Sequence, residues 1–590
     1  MRSRARNWVA LALGTVVALI ASFQAYQLAN YSWNQVVAYR GPYAAVPIPQ
    51  TADPREAQTP SADARQMPRI VYVIVDGLRE DVSRGMPTLN SLRNHGYDAV
   101  VRTGEPSLSF PNWTTLLSGA SQRISGVTTN WFEERVLVET LMDVALRSGE
   151  TVAVSAPTDF EMLYGVKRSP NVLLRDWEKG AYMTGDMVDN AIALANDSSA
   201  TVVVVLCPDI DEAGHGSGGS SKEYRDTAAK VDRDIGRLVT ALQDERTTFV
   251  VASDHGHIDT GGHGGWEDVA LDVPAVFTGP EVILGSGQGT QDQVAPTVAL
   301  LHRLPALRNA TGEPLPVMKT KLEDARRFAD QQVQAFDAYT RAVAGSRPTP
   351  SVTAAGARAA FAAATDKRVA GERNGRAASA LALAGVAIAV LVAIGVMSWR
   401  ALLSALAGTA FYYLVYNGLF FLAHGYAWSL SAFNSEDNLK SFFNGRMVEA
   451  VIAGVVAAAV AADVYLATRK QPRRPAGEYL PGWLALGTAT ALTIQASLAL
   501  QVAWFLWRYG AQTSWVLPDF KWGFKYDLDL IQLTAVAGVA LLAPLVTCLV
   551  GRYHPIRQRG AAAASEPDGD DAAAKADPVP TGYWRRRSGM

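Results

Sequence analysis

Five apolar stretches in the C-terminal half, near 378–397, 402–426, 447–467, 483–506 and 530–550, are each long enough to cross about 30 Å of hydrocarbon at about 1.5 Å per residue. A sixth runs from about Trp8 to Leu28, directly after Arg2, Arg4 and Arg6. Backbone inside hydrocarbon must satisfy its own N–H and C=O groups, so each stretch is read as a helix. The first is read as an uncleaved anchor. A cleaved signal peptide is the competing reading, but no small-x-small cleavage site follows it. Six spans make an even-numbered topology. Arg2 to Arg6, the loop Arg469, Lys470, Arg473, Arg474, and the tail residues Arg552, Arg557, Arg559 and Arg585 to Arg587 then share one side. The positive-inside rule makes that side the cytoplasm, with both termini in it. Lys367, Arg368, Arg373 and Arg376 end on the outer side and run against the rule.

Between the first two spans lies enough chain for an enzyme domain. Residues 30–68 are rich in Pro, Ala and polar residues without periodicity, as a linker is. From Arg69 to about Ala306 short β-branched runs recur at 70–75, 151–155, 201–206, 247–252 and 273–277, separated by helix-like stretches. Near-continuous Val and Ile marks strands buried on both faces, hence an α/β domain whose mostly parallel sheet is covered by helices. Residues 317–345 and 352–366 read as amphipathic helices of a stem. The expected organisation is an anchor at 1–29, a linker at 30–68, an α/β domain at 69–310, a stem at 311–376, five spans over 377–551 and a cytoplasmic tail at 552–590. Residues 560–580, rich in Ala, Asp and Pro, read as disordered.

Composition removes several functions. The net charge is −2, and no basic stripe interleaved with aromatics occurs in the soluble region, which argues against a nucleic-acid partner. Cys207 and Cys548 are the only cysteines, so neither a disulfide framework nor a cysteine zinc site can be built. Any metal must be held by His, Asp and Glu. Four of the eight histidines, His215, His255, His257 and His263, fall close together in sequence.

Four motifs place reactive side chains at strand ends. Asp76 ends the first buried run in Val-Ile-Val-Asp-Gly-Leu-Arg, where open α/β sheets form their ligand crevice; alone it is equally well a turn aspartate satisfied by amides. Asp211 and His215, four apart in a Gly-containing loop after 201–206, can converge on one cation. Asp254 and His255 follow 247–252, and His263 sits in Gly-Gly-His-Gly-Gly, a poor recipe for a core and a good one for metal. In Pro-Ser-Leu-Ser109-Phe-Pro111, Pro111 suits a first helical turn and leaves Ser109 just before it, where N–H groups favour an anionic phosphate. By itself Ser109 is better read as an ordinary helix cap.

The order Asp-Gly, Ser/Thr-x-Pro, Asp-x-x-x-His, Asp-His-Gly and His resembles the alkaline-phosphatase superfamily. It is most similar to the nucleotide pyrophosphatase/phosphodiesterase branch and the glycosylphosphatidylinositol ethanolamine-phosphate transferases. The resemblance covers about residues 69–306, including Val273-Pro-Ala-Val-Phe-Thr-Gly279 and the stretch 293–305. It implies two divalent ions, zinc by analogy and with manganese accepted by the same ligands. One would be held by Asp76, Ser109, Asp254 and His255, the other by Asp211, His215 and His263. It further implies a nucleophilic Ser109 and an Asn130 amide that contacts phosphoryl oxygen. Trp113 stands where the phosphodiesterase branch commonly has His, and Ser109 replaces its usual Thr. No Cys/Ser-x-Pro-x-Arg signature of a sulfatase is present.

Five spans beyond the α/β domain exceed what anchorage needs. The expected activity is therefore a phosphodiesterase or phosphoalcohol transferase acting outside the cytoplasm on a lipid or glycolipid. The alternatives are a membrane-anchored phosphatase or nucleotide pyrophosphatase acting on a soluble ester, and a transporter or scaffold with a degenerate domain. The outer loop 508–529, with Trp515, Phe520, Trp522, Phe524, Tyr526, Lys521 and Lys525, reads as an interfacial aromatic belt rather than a headgroup site. Asn417, His424 and Asp463 are polar residues within the spans, explained equally well by helix ends.

Overall fold

The computed structural model describes residues 2–41, 68–178, 180–345, 351–393, 399–468, 480–510, 517 and 519–553. The basic loop at 469–474, Trp515, most of the 30–68 linker and the 560–580 tail lie outside the described residues.

Eight strands form one sheet: β1 (Arg69–Val75), β2 (Tyr97–Arg102), β3 (Val152–Pro157), β4 (Asn171–Arg175), β5 (Val202–Cys207), β6 (Thr247–Ser253), β7 (Asp272–Thr278) and β8 (Gly285–Thr290). Their order is β4-β3-β5-β1-β6-β7-β2-β8. The five expected runs are β1, β3, β5, β6 and β7. The sheet is mixed rather than purely parallel, because β7 runs antiparallel to both β6 and β2.

Every β1 residue is buried, since the strand has a packed layer on both faces. Ile70, Tyr72 and Ile74 point into one core with Trp113, Leu116 and Val298. Val71, Val73 and Val75 point into the other with Leu89, Met187 and Ile235. Burying each such side chain contributes roughly 1.5–3 kcal/mol, so the central strands are the least movable part of the domain. β5, β1 and β6 are parallel neighbours, with Val75 registered on Cys207 and on Ser253. Three carboxyl ends therefore open side by side.

Among the described residues six helices are long and apolar enough to cross a membrane by length and composition, Leu11–Val37, Ala354–Val392, Trp399–Ala423, Leu439–Ala467, Leu480–Tyr509 and Phe520–Arg552. Small residues let them approach closely. A Cβ on Gly454 would lie 2.4 Å from Val539, and one on Gly487 2.4 Å from the Pro544 nitrogen.

Three expectations change here. The first helix runs from Arg2 to Val37, beyond the expected anchor, and docks on the α/β domain: Thr128 Oγ1 donates to the Val36 carbonyl at 2.7 Å, and Tyr39 Oη to that of Arg123 at 2.7 Å. The second half of the stem and the second span are one helix, Ala354–Ala393. Its length of about 60 Å is twice a hydrocarbon core, so its basic stretch fits a portion standing outside the bilayer. Finally, Phe520 to Tyr526 belong to the last helix, not to a loop. Phe524 and Tyr526 are buried, and Trp522 packs against Trp428, Trp504 and Tyr509.

Candidate metal centre

Asp76 follows β1, Asp254 follows β6, and Asp211 with His215 lies on the helix Asp209–Ser217 after β5. That segment was expected as a loop; as a helix it brings positions four apart onto one face. The turn after Asp76 needs glycine. Gly77 has φ +73°, and a Cβ there would lie 2.7 Å from the Asp211 Cα.

His255 joins the two halves of the cluster. Its Nε2 lies 3.4 Å from Asp76 Oδ1, 3.4 Å from Asp254 Oδ2 and 3.2 Å from Ser109 Oγ. Ser109 is the first residue of the helix Ser109–Ser118 rather than the residue before it. Asp76 Oδ1 and Asp254 Oδ2 are buried and have no hydrogen-bond partner among the described residues. Asp254 Oδ1 accepts the Gly77 and His255 N–H groups at 3.0 and 2.8 Å. Burial pushes both carboxyls up, Asp76 further because Asp254 and Asp211 are beside it. Buried like charges with orphaned oxygens call for a cation.

On the other side, His215 Nε2 stands 3.4 Å from Asp211 Oδ2 and 3.1 Å from His263 Nε2, and His263 Nε2 lies 3.5 Å from Asp211 Oδ1. The Nδ1 of His263 is 2.8 Å from the Ser107 carbonyl, that of His255 3.3 Å from the Gly256 carbonyl, and that of His215 3.4 Å from Asn434 Oδ1. Nδ1–H donation in each ring leaves an Nε2 lone pair facing the cluster, which is how histidines are held for metal. Burial opposes charge on His215, but Asp211 beside it raises its pKa to about 9. Burial likewise works against the Asp211 carboxylate; His215, His257 and His263 overcome it and hold Asp211 well below the usual range.

The structure thus brings all seven expected side chains together. Asn130 lies beside them: its Oδ1 accepts the Phe110 N–H at 3.0 Å, at the helix turn that carries Ser109. Trp113, on the same helix, is instead buried against Phe110 and Phe160.

Three participants carried no role in the sequence reading. His257 lies in the same geometric cluster as Asp211, His255 and His263. Its Nδ1 accepts the Gly262 N–H at 3.2 Å, so the neutral ring keeps its proton on Nε2 and donates to Asp211 Oδ1 at 2.7 Å. Burial lowers its pKa to about 4, which keeps that tautomer neutral. It orients Asp211 rather than offering a lone pair. Ser107 clamps the glycine loop, its Oγ accepting from Gly264 N–H at 2.9 Å and donating to the Gly265 carbonyl at 3.0 Å. Asn434 comes from the membrane half. Its Nδ2 donates to the His215 carbonyl at 3.0 Å, and its backbone has φ +64°, a costly conformation for a residue with a side chain. The pattern around His255 and His257 could have flagged His257; nothing near Asn434 in sequence points back to residue 215.

Residues 70–272 match the family model described as type I phosphodiesterase / nucleotide pyrophosphatase. The chain resembles this family over its α/β domain, as the motif order implies. It is 26% identical over 231 residues to GPI ethanolamine phosphate transferase 1 of Mus musculus, covering 33% of this chain and 24% of that protein. It is 26% identical over 303 residues to GPI ethanolamine phosphate transferase 1 of Gibberella zeae, covering 42% of this chain and 30% of that one. The chain therefore spans less than a third of the length of these curated relatives. Among solved structures, an inactive murine ectonucleotide pyrophosphatase / phosphodiesterase 5 in complex with AMP is 13% identical, with a TM-score of 0.36, covering 41% of this chain and 96% of that one.

Proposed function

We propose that this chain is a membrane-bound, two-cation phosphodiesterase or phosphoalcohol transferase of the phosphoethanolamine type. Its α/β domain works outside the cytoplasm on a lipid or glycolipid, through a phosphoserine-type intermediate on Ser109. The observation that carries this is the convergence of six donor side chains, from the ends of three adjacent strands or the loops after them, beside the Ser109 hydroxyl. The names of the curated relatives support the transferase form.

The donor set fits two divalent ions, zinc or manganese. Asp76, Ser109, Asp254 and His255 would hold one; Asp211, His215 and His263 would hold the other. When bound, such ions supply positive charge to the phosphate oxygens and ease loss of the hydroxyl proton. Ser109 Oγ then forms a bond to phosphorus, the bond from phosphorus to the donor alcohol breaks, and the serine proton leaves with that alcohol. An acceptor hydroxyl reverses the step: its oxygen bonds to phosphorus, the Ser109 ester breaks, and the acceptor proton returns to Ser109. With Oδ1 engaged by Phe110 N–H, Asn130 keeps its Nδ2 for a phosphoryl oxygen.

A lipid substrate is supported by contact between the two halves of the chain. Beside the cluster, the Trp266 indole N–H donates to the Trp428 carbonyl at 2.7 Å, and Gly265 N–H to Ser431 Oγ at 3.1 Å. The segment 424–438 between two spans thus abuts the reactive side chains. The domain lies at the C-terminal end of the first helix, opposite the Arg2 to Arg6 end, which agrees with basic ends and both termini in the cytoplasm.

Full-length protein carrying Ser109→Ala should keep most of its bound metal, through the remaining six ligands, and lose turnover of an aryl phosphodiester. Lipid mass spectrometry of membranes with and without the protein should show a headgroup that gains or loses a phosphoalcohol. Wild-type turnover in the Ser109→Ala variant would reject the nucleophile. An unchanged lipid profile, with soluble esters still cleaved, would favour the phosphatase or pyrophosphatase alternative.

A further inference from the structure

Beside the metal-type cluster a cavity of about 610 Å³ opens between the α/β domain and the ends of the spans. Asp259 and Glu267 line it from the domain side, and His424, Tyr426 and Arg446 from the membrane side. Asn434, which holds His215, belongs to the same lining.

Arg446 is 4% exposed, on the first turns of the apolar helix Leu439–Ala467. Its Nη2 donates to Glu449 Oε1 at 2.6 Å, and the guanidinium lies 5.0 Å from the Tyr426 ring centre and 5.2 Å from that of Phe442. Its Nε and Nη1 are buried and meet no acceptor among the described residues. Unanswered donors on a buried cation are costly, and a charge at the edge of a span is kept where something uses it. The other charges around the cavity are already engaged. Asp259 pairs with Arg79 at 2.6 Å, Glu267 accepts from Ser431 Oγ at 3.0 Å, and His424 Nε2 stands 2.7 Å from Glu449 Oε1. Among the described charged residues around the cavity, Arg446 is therefore the cation with unanswered donors for an incoming anion. Phosphate oxygens are the acceptors a guanidinium serves best.

We propose that Arg446 is the anion-binding element of a phosphoryl subsite in this cavity, distinct from the two-cation cluster, with Glu449 and the Tyr426 and Phe442 rings holding the guanidinium in place. As a substrate subsite it rests on the phosphoester reading above. The shared chemistry is a phosphate group, carried either on a lipid headgroup or free in solution.

Full-length protein in detergent, stripped of metal by a chelator so that the cluster cannot hold phosphate, is titrated calorimetrically with inorganic phosphate and separately with a short-chain phosphatidic acid. The proposal expects binding, weakened at least tenfold by Arg446→Gln. Glu449→Gln, which removes the competing negative charge but keeps an oxygen to accept from Nη2, should tighten binding several-fold, and this arm stands if Arg446→Gln does not fold. Binding of the lipid alone assigns the subsite to a headgroup; equal binding of both assigns it to a phosphate of either source. Wild-type protein that binds neither, or a folded Arg446→Gln that binds as wild type does, overturns the proposal. The readout needs no metal. Intact anion binding without turnover would therefore count against the proposed function and not against this subsite, and the reverse result would separate them equally.

Discussion

Asn434, more than two hundred residues from His215 in sequence, donates its Nδ2 to the His215 carbonyl at 3.0 Å while its Oδ1 stands 3.4 Å from the His215 ring. One side of the cluster is therefore oriented by the membrane half of the chain. Removing partners that orient a metal ligand costs about 10–100-fold in affinity. Asn434→Ala should weaken one of two bound cations by about that factor and leave the other in place. Metal content against free zinc concentration would check this, a single-step loss being expected; an unchanged curve would show that the contact is incidental.

His257 Nε2 stands 2.7 Å from Asp211 Oδ1, and the proposed ligand sets use it to orient that carboxylate. His257→Gln, which retains an N–H donor, should keep most of the metal affinity, whereas His257→Ala should lose about 10–100-fold. Equal loss in both variants would mean that the ring nitrogen coordinates directly.

The His215–Asp211 pair predicts the pH response of the metal-free protein. The His215 pKa is raised from 6.5 to about 9 in the fold, so its stabilising contribution is complete below 6.5 and disappears as pH rises through about 9. Asp211, held low, contributes above its unfolded pKa and loses that contribution only under acid conditions. Thermal unfolding of chelator-treated protein should show stability falling between pH 6.5 and 9, and His215→Asn should flatten that slope. Zinc affinity should rise over the same interval, because binding must displace the His215 proton.

Gly77→Ala should destabilise the domain by more than about 1 kcal/mol, since alanine is strained at φ +73° and its Cβ meets Asp211. Denaturant unfolding would measure it. A neutral result would mean that the turn after β1 can move away from the helix carrying Asp211.

What the sequence discloses follows from where the physics is local. β1, β5 and β6 are legible because two-sided burial demands unbroken Val and Ile. β2 alternates buried and half-exposed residues, and β8, Gly-Ser-Gly-Gln-Gly-Thr, is an exposed edge strand held by pairing with β2, so neither carries that signature. Asp76, Asp211, Asp254 and the histidines announce themselves because carboxylates and imidazoles at strand ends have no use in a core. Ser107 and Asn434 act through contacts made only when distant segments meet. The aromatic cluster at 520–526 reads as a surface belt by composition, yet Phe524 and Tyr526 turn inward because a helix, not a loop, carries them.

The central claim is that six side chains form, with the Ser109 hydroxyl, one site for two cations. Elemental analysis of purified full-length protein, wild type against Asp254→Ala, tests it most directly. The account predicts about two divalent ions per wild-type chain and a clear loss in Asp254→Ala. Wild-type protein that binds no metal after incubation with zinc or manganese would contradict it.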